Sequence, residues 1–210
     1  MELNEHPFGA FQLYTPDSLM ILLQGCPCAW WVAGGWAIDL YLGQQTRQHA
    51  DCDVEIWRAD ALAFRAHFSL WEFWAPHPDV RDTAWPFIWW PAYEQPPAGV
   101  FNAWCRPHST DAWAFEVLLA DHDDQNWHFR RNPTIQQLRS SSVLRTQEGI
   151  PYLAPELQLL YKAKQPRPHD EQDAYLAFTH FSFEQKRQFL LMLQAVDPQH
   201  PWLVTLSTAE

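Results

Sequence analysis

Apolar positions along the chain recur with two periods, and together these periods predict both helices and strands. Helical spacing predicts a first helix that Thr15 or Asp17 caps and that runs to Gly25, with Pro16 in its first turn. Further helices are predicted over 35–42, 59–70, 156–164, 170–179 and 183–195. Apolar runs predict strands over 29–33, 52–57 and 113–119, shorter strands around 127–131 and 143–146, and short strands with loops over 71–107.

The order of these elements predicts two domains. Strands and helices interleave in the first half of the chain, whereas helices dominate after Pro155. We therefore expect an α+β protein with a mixed α/β domain at 1–125 and a small, mostly helical domain at 126–210.

Composition provides ample material for a core. The chain has 210 residues, of which 47% are hydrophobic and 13 are Trp. No stretch approaches the roughly 20 apolar residues of a membrane span. The first residues lack the basic and apolar segments of a signal peptide, so we expect a soluble cytoplasmic protein that binds no membrane.

Charge and cysteine spacing disfavour two classes of protein. The net charge of −11 argues against nucleic acid as a partner, because that binding depends on Lys and Arg neutralising phosphates. It is compatible with a cationic small substrate, although acidic surfaces also serve solubility. Cys26-Pro27-Cys28 has no second matching pair, so a structural zinc site is not expected.

The most informative segment lies between residues 32 and 56. Gly34-Gly35 follows a predicted buried strand and opens a predicted helix, a position suited to receiving phosphate. Asp51 and Asp53 stand at alternate positions of the next predicted strand, so their side chains project to the same face. Two carboxylates with substrate phosphates are the ligands that Mg²⁺ prefers. These features indicate a site for a metal-bound nucleoside triphosphate.

This segment resembles the polymerase-beta-like nucleotidyltransferase superfamily, and most closely its aminoglycoside and lincosamide nucleotidyltransferases. The residues that carry the resemblance are Gly34-Gly35-Trp36-Ala37-Ile38-Asp39 and Thr46-Arg47-Gln48-His49-Ala50-Asp51-Cys52-Asp53. It covers mainly residues 30–58 and returns more loosely at 155–164 and 170–173. The resemblance implies a nucleotidyltransferase-type mixed sheet flanked by helices.

The resemblance also implies a reaction and its cofactors. A hydroxyl of an acceptor attacks the α-phosphate of a nucleoside triphosphate, with ATP as the expected co-substrate, and pyrophosphate leaves. Asp51 and Asp53 would hold one or two Mg²⁺ ions; the alternative is an exposed strand edge with ordinary charges. The expected acceptor is a small hydroxyl-bearing molecule, such as an aminoglycoside-like antibiotic.

A third carboxylate is expected on a neighbouring strand as metal ligand or general base. Glu116 is the candidate, because it alone interrupts the apolar run 115–119. A solvent-facing position is the alternative for Glu116, and the superfamily more often has Asp there. Glu55 is a second candidate, because it shares the face of Asp51 and Asp53.

Further residues are expected to contact the phosphates. Gly34 and Gly35 would let the backbone approach them, unless they form a plain strand-to-helix turn. Arg47 and His49 would sit near the phosphates or brace their loop, and Lys162 would reach a phosphate unless it is a solvated helix lysine. Asp39 is expected to be a structural hydrogen-bonding residue. The alternative to an enzyme is a catalytically inactive nucleotidyltransferase fold that serves as a binding or partner protein.

Overall fold

The computed structural model describes residues 8–206, which form two compact units. Unit 1 contains the described chain up to Val32 together with Gln48–His122, and unit 2 contains Ala33–Arg47 together with the described chain from Asp123 onward. These units are defined by contacts between residues and not by independent folding. The predicted domain boundary at 125/126 therefore stays a prediction. None of the described helices is long and apolar enough to cross a membrane.

The helices alternate with strands through the first part of the chain. The helices are α1 (Pro16–Leu22), α2 (Gly34–Leu42), α3 (Ala61–His67), α4 (Arg139–Ser142), α5 (Pro155–Lys162), α6 (Pro168–His180), α7 (Phe183–Val196) and α8 (Trp202–Thr205). The strands are β1 (Trp30–Ala33), β2 (Asp53–Trp57), β3 (Glu72–Pro76), β4 (Phe87–Trp89), β5 (Asn102–Arg106), β6 (Phe115–His122), β7 (Asn126–His128), β8 (Gln136–Leu138), β9 (Val143–Arg145) and β10 (Pro151–Leu153).

A mixed sheet forms the centre of unit 1. Its strand order is β4-β3-β5-β6-β2-β1. β2 and β6 run parallel, whereas β5 pairs antiparallel with β6 and with β3, and β3 pairs antiparallel with β4. This mixed sheet with flanking helices confirms the predicted α+β class.

One face of this sheet packs against α3. Phe64 and Phe68 on α3 lie with their ring centroids 6.3 and 5.7 Å from that of Phe115 on β6. Phe64, Phe73 and Phe115 are fully buried. The apolar residues of β6 therefore alternate toward this core, which leaves Glu116 on the opposite face.

The opposite face carries a row of residues that are successive register partners across five strands. Asp53 on β2 lies opposite Glu116 on β6, which lies opposite Trp104 on β5. Trp104 lies opposite Trp74 on β3, which lies opposite Trp89 on β4. Neighbouring strands are about 4.8 Å apart. The two carboxylates and the three indoles thus stand side by side on one face.

Unit 2 is built mainly from helices. α2 packs against α5 and α6, and α5 packs against α7. Two short antiparallel pairs accompany them, β7 with β8 and β9 with β10. α2 ends at Leu42, and the next residue, Gly43, caps it with a φ of 69° in the left-handed region, so the predicted glycine stop is confirmed.

Several elements differ from the sequence prediction. β2 begins at Asp53, so Asp51 precedes the strand instead of lying in it. The predicted helix 59–70 is a 3₁₀ turn at Arg58–Asp60 followed by α3, which ends at His67. β10 was missed because all three of its side chains are buried, so no polar alternation marks it.

Candidate active site

Asp51, Asp53 and Glu116 all lie in unit 1, close to one end of the β2–β6 pair. Asp53 is the first residue of β2 and Glu116 the second residue of β6, and they are direct register partners. The N–H of Glu116 donates to the carbonyl of Cys52 at 3.3 Å, which extends the pairing one residue before β2. Asp51 lies close enough to Glu116 for its charge to act on that carboxyl. Both aspartates are partly exposed.

Glu116 is held by two side chains of β5. The Asn102 Nδ2 donates to Glu116 Oε1, and the Trp104 indole, whose only donor is its N–H, also hydrogen-bonds this carboxyl. Burial raises the pKa of Glu116 to about 7, and the Asp51 charge acts in the same direction. The two hydrogen bonds oppose this rise because they favour the charged form.

The Trp104 ring is fixed by aromatic neighbours. Its centroid lies 4.8 Å from that of Phe87, 5.0 Å from Phe11 and 5.5 Å from Trp113. This packing restricts the indole to an orientation in which it donates to Glu116. Sequence reasoning missed Asn102 and Trp104. Their spacing of two residues indicated that both side chains lie on one face of a strand. Which strand lies beside them depends on pairing between segments that are distant in sequence.

Glu55, the other candidate for a third carboxylate, has a different environment. It is only 3% exposed, and its Oε2 accepts from the Trp31 Nε1 at 2.7 Å. Trp31 in turn contacts Trp57 with ring centroids 4.6 Å apart. Glu55 is thus tied to an aromatic pair on β1 and β2, whereas Glu116 stands directly opposite Asp53. His49, also predicted to contact phosphate, is buried in unit 1.

The predicted glycine turn opens α2 in unit 2. Gly34 has a φ of 67°, a left-handed conformation that disfavours residues with a Cβ. Its N–H donates to Gln158 Oε1 at 2.8 Å. The N-cap is Ala33, whose side chain has no oxygen to accept from the first-turn N–H groups. Asp39, further along α2, is buried and accepts from Thr46 Oγ1 at 2.6 Å, in line with its predicted structural role.

Arg47 and Lys162 meet in one ion-pair network of unit 2. Arg47 donates to both oxygens of Asp173, from Nε at 3.1 Å and from its Nη2 at 3.0 Å. Lys162 Nζ lies 3.0 Å from Asp173 and 2.6 Å from Asp170. The side chain of Lys162 is only 7% exposed, so it is not a solvated helix lysine.

Asp170 is anchored from a third side as well. Its Oδ2 accepts from the Nε of Arg167 at 2.9 Å and from the Arg167 backbone N–H at 3.0 Å. Burial alone would raise the pKa of Asp170, but the hydrogen bonds from Arg167 and Lys162 outweigh it and hold that pKa well below its usual range. The network therefore keeps Asp170 ionised, and it brings the carboxylates of Asp170 and Asp173 together with three cations.

The candidate site offers some of the ligands that a hard metal ion such as Mg²⁺ prefers. Asp51 and Asp53 offer carboxylate oxygens, and Mg²⁺ commonly binds through one or two carboxylates while keeping water and substrate phosphates. Within residues 8–206, no three His, Cys, Asp or Glu side chains converge on a ready-made metal cage. Asp51 and Asp53 could provide two of the donors, and the ligand roles of Asp51, Asp53 and Glu116 stay predictions.

The mixed sheet with its flanking helices has the antibiotic nucleotidyltransferase fold. The crystal structure of ANT(2'')-Ia in complex with adenylyl-2''-tobramycin aligns with a TM-score of 0.55 and 14% identity, over 86% of this chain and 95% of that chain. The family model for aminoglycoside-2''-adenylyltransferase matches residues 17–73, which include the glycine turn and both aspartates. The predicted resemblance is thereby confirmed.

Two further solved structures are similar at a lower level. Lincomycin-bound LnuA, a lincosamide antibiotic adenylyltransferase, aligns with a TM-score of 0.49 and 16% identity over 77% of this chain and 92% of that chain. A solution structure of ANT(2'')-Ia aligns with a TM-score of 0.48 and 16% identity over 86% of this chain and 88% of that chain. The comparison with curated protein sequences gives no significant match.

Proposed function

We propose that this protein is a Mg²⁺-dependent nucleotidyltransferase that moves a nucleoside monophosphate from ATP to a hydroxyl of a small acceptor. The observation that carries the proposal is the direct register of Asp53 with Glu116, with Asp51 two residues before β2. The family match over 17–73 and the fold shared with ANT(2'')-Ia support it. The aminoglycoside named in that structure makes this class the first acceptor to test.

Asp51 and Asp53 are the proposed metal ligands. When bound there, Mg²⁺ would neutralise the triphosphate and stabilise the charge that develops at the α-phosphate. Glu116 stands opposite Asp53 on the neighbouring strand. We assign it to the acceptor side of the reaction, as co-ligand or as the group that takes the hydroxyl proton. Asn102 and Trp104 keep its carboxyl in place.

The phosphate-binding residues are assigned from the resemblance. Gly34 and Gly35 would offer first-turn amides of α2, and His49 would contact phosphate or brace the loop. In the network of unit 2, the cations Arg47, Lys162 and Arg167 face the carboxylates of Asp170 and Asp173. From the resemblance, Arg47 or Lys162 would contact a phosphate oxygen.

Calorimetric titration with ATP in the presence and absence of Mg²⁺ tests the proposal. We expect native protein to bind ATP only with Mg²⁺, and Asp51→Asn/Asp53→Asn to lose at least tenfold in affinity, because the metal loses both carboxylates. Asp121→Asn is the matched control. It removes a partly exposed carboxylate near the other end of β6, where Asp121 pairs with Arg58, and should leave ATP binding intact.

Turnover separates an enzyme from a binding protein with the same fold. We expect α-labelled ATP to transfer label to an aminoglycoside or a lincosamide, and Glu116→Gln to lose transfer while it keeps folding. If Glu55→Gln abolishes transfer and Glu116→Gln does not, Glu55 is the third carboxylate. Metal-dependent ATP binding without transfer to either acceptor class would favour the inactive alternative. Absence of nucleotide binding would overturn the proposal.

A further inference from the structure

The connection between α1 and β1 brings two thiols into contact. Cys26 and Cys28 are separated by Pro27, and their Sγ atoms lie 3.3 Å apart. Both cysteines are partly exposed, and Pro27 between them is exposed. A small-molecule reagent therefore reaches this pair from solvent.

The other two cysteines have the opposite environment. Cys52 is 1% exposed and Cys105 is fully buried. Burial raises the pKa of both thiols, which keeps them protonated and unreactive. They provide an internal reference for any reaction at Cys26 and Cys28.

The contact also makes one of the paired thiols acidic. A thiolate at Cys26 accepts a hydrogen bond from Cys28, and this lowers the pKa of Cys26 to about 7. The same hydrogen bond raises the pKa of Cys28, because it holds the Cys28 proton, and burial and the charge of the Cys26 thiolate act in the same direction. The negative charge of Asp60 opposes the ionisation of both thiols. Near neutral pH the pair thus holds one thiolate beside one thiol, the arrangement that thiol–disulfide exchange requires.

The backbone allows the two sulfurs to bond. The Cα atoms of residues two positions apart are at most about 7 Å from each other, and the bend at Pro27 and Cys28 shortens this distance. Disulfides accept Cα separations of roughly 4.4–6.8 Å. Closing the Sγ pair to a disulfide length of about 2.05 Å requires a small local movement in this connection.

We propose that Cys26 and Cys28 form a thiol-exchange site, which low-molecular-weight disulfides such as oxidised glutathione convert reversibly into an intrachain disulfide. The Cys26 thiolate attacks one sulfur of the reagent, and the first glutathione thiolate leaves and is protonated. Cys28 then releases its proton to solvent and attacks the Cys26 Sγ, which expels the second glutathione. Two electrons pass from the two protein thiols to the reagent, and a dithiol such as dithiothreitol reverses the reaction.

Mass spectrometry of the full chain tests this proposal without any assay of activity. The protein is incubated with excess oxidised glutathione at neutral pH and quenched with acid. It is then unfolded in denaturant at alkaline pH, so that an alkylating reagent reaches every remaining thiol, and digested. We expect the intact mass to fall by two hydrogens and the peptide that contains Cys26 and Cys28 to carry an internal disulfide. Cys52 and Cys105 should be alkylated in full. Dithiothreitol should restore both reactive thiols.

Two variants define the order of the steps. In Cys28→Ser the reaction should stop at a glutathionyl group on Cys26, because the resolving thiol is gone. In Cys26→Ser the remaining thiol lacks its acidifying partner, so its modification at pH 7 should be several-fold slower, and its rate should keep rising toward pH 9. The rate for the native chain should level off above about pH 7.5.

Three outcomes would overturn the proposal. They are full alkylation of Cys26 and Cys28 after incubation, oxidation of Cys52 or Cys105 at a similar rate, and a glutathionyl adduct on native protein that never resolves to the disulfide. The first outcome is interpretable even if a variant fails to fold, because it is measured on native protein. Loss of the proposed transferase activity would leave all of these readouts unchanged.

Discussion

Glu116 is a carboxyl group whose protonation is set by neighbours with opposite effects. We expect Asp51→Asn to lower its pKa from about 7, because a like charge is removed. Asn102→Ala and Trp104→Phe should each raise it, because each removes a hydrogen bond to the charged form. Hydrogen bonds to charged groups contribute about 1.5–3 kcal/mol, so each change should alter the acid dissociation constant at least tenfold. Carbon-13 NMR of the glutamate carboxyls in chelator-treated protein measures the pKa of Glu116.

The same group makes stability depend on pH. The carboxyl titrates near 4.5 when unfolded and near 7 when folded, so folded protein holds a proton that unfolded protein has lost. Its contribution is fully present below about pH 4.5 and is lost as pH rises through about 7. The free energy of unfolding, measured by urea titration, should therefore fall over this pH range more for native protein than for Glu116→Gln. A native midpoint near 4.5 by NMR, or equal shifts in all variants, would contradict this account.

At the scale of elements, Asp173 on α6 pairs with Lys162 on α5 and with Arg47, and so links three segments of unit 2. Its side chain is fully buried and accepts from both cations. Asp173→Asn should cost about 3–5 kcal/mol of the free energy of unfolding, because removing one partner leaves buried charge uncompensated. Urea titration measures it. Glu184→Gln is the control, since the Glu184–Arg187 pair on α7 is exposed and should contribute nothing measurable. Equal effects of both variants would refute a structural role for this network.

The sequence predicted those elements whose own residues mark where they begin. The first helix has Thr15 as its N-cap, with Oγ1 accepting from the Ser18 N–H at 3.3 Å, and Pro16 in its first turn. β3, β4 and β5 lie in the Trp- and Pro-rich segment that predicted only short strands and loops. Their side chains pair across strands that are distant in sequence, so short-range periodicity does not give the bounds of these strands or their partners.

The candidate site shows the same division between local and non-local information. The sequence pattern indicated Asp51 and Asp53 because both stand within one short motif, and it indicated Glu116 because an acid interrupts an apolar run. It did not indicate that Asn102 and Trp104 hold Glu116, or that Asp170 and Asp173 pair with Lys162. These partners depend on register and on helix packing, which composition and spacing do not encode.

At the scale of the whole molecule, the net charge of −11 should affect the binding of the two proposed substrates in opposite directions. A negative protein attracts a polycationic acceptor and repels ATP at long range, and salt screens both effects. Raising NaCl from about 50 to about 500 mM should therefore weaken aminoglycoside binding several-fold, whereas ATP binding should lose less or improve. Calorimetry at constant free Mg²⁺ measures both affinities. An uncharged sugar acceptor is the control and should show little salt dependence. If aminoglycoside affinity stays constant while ATP affinity falls, short-range contacts instead of net charge select the acceptor.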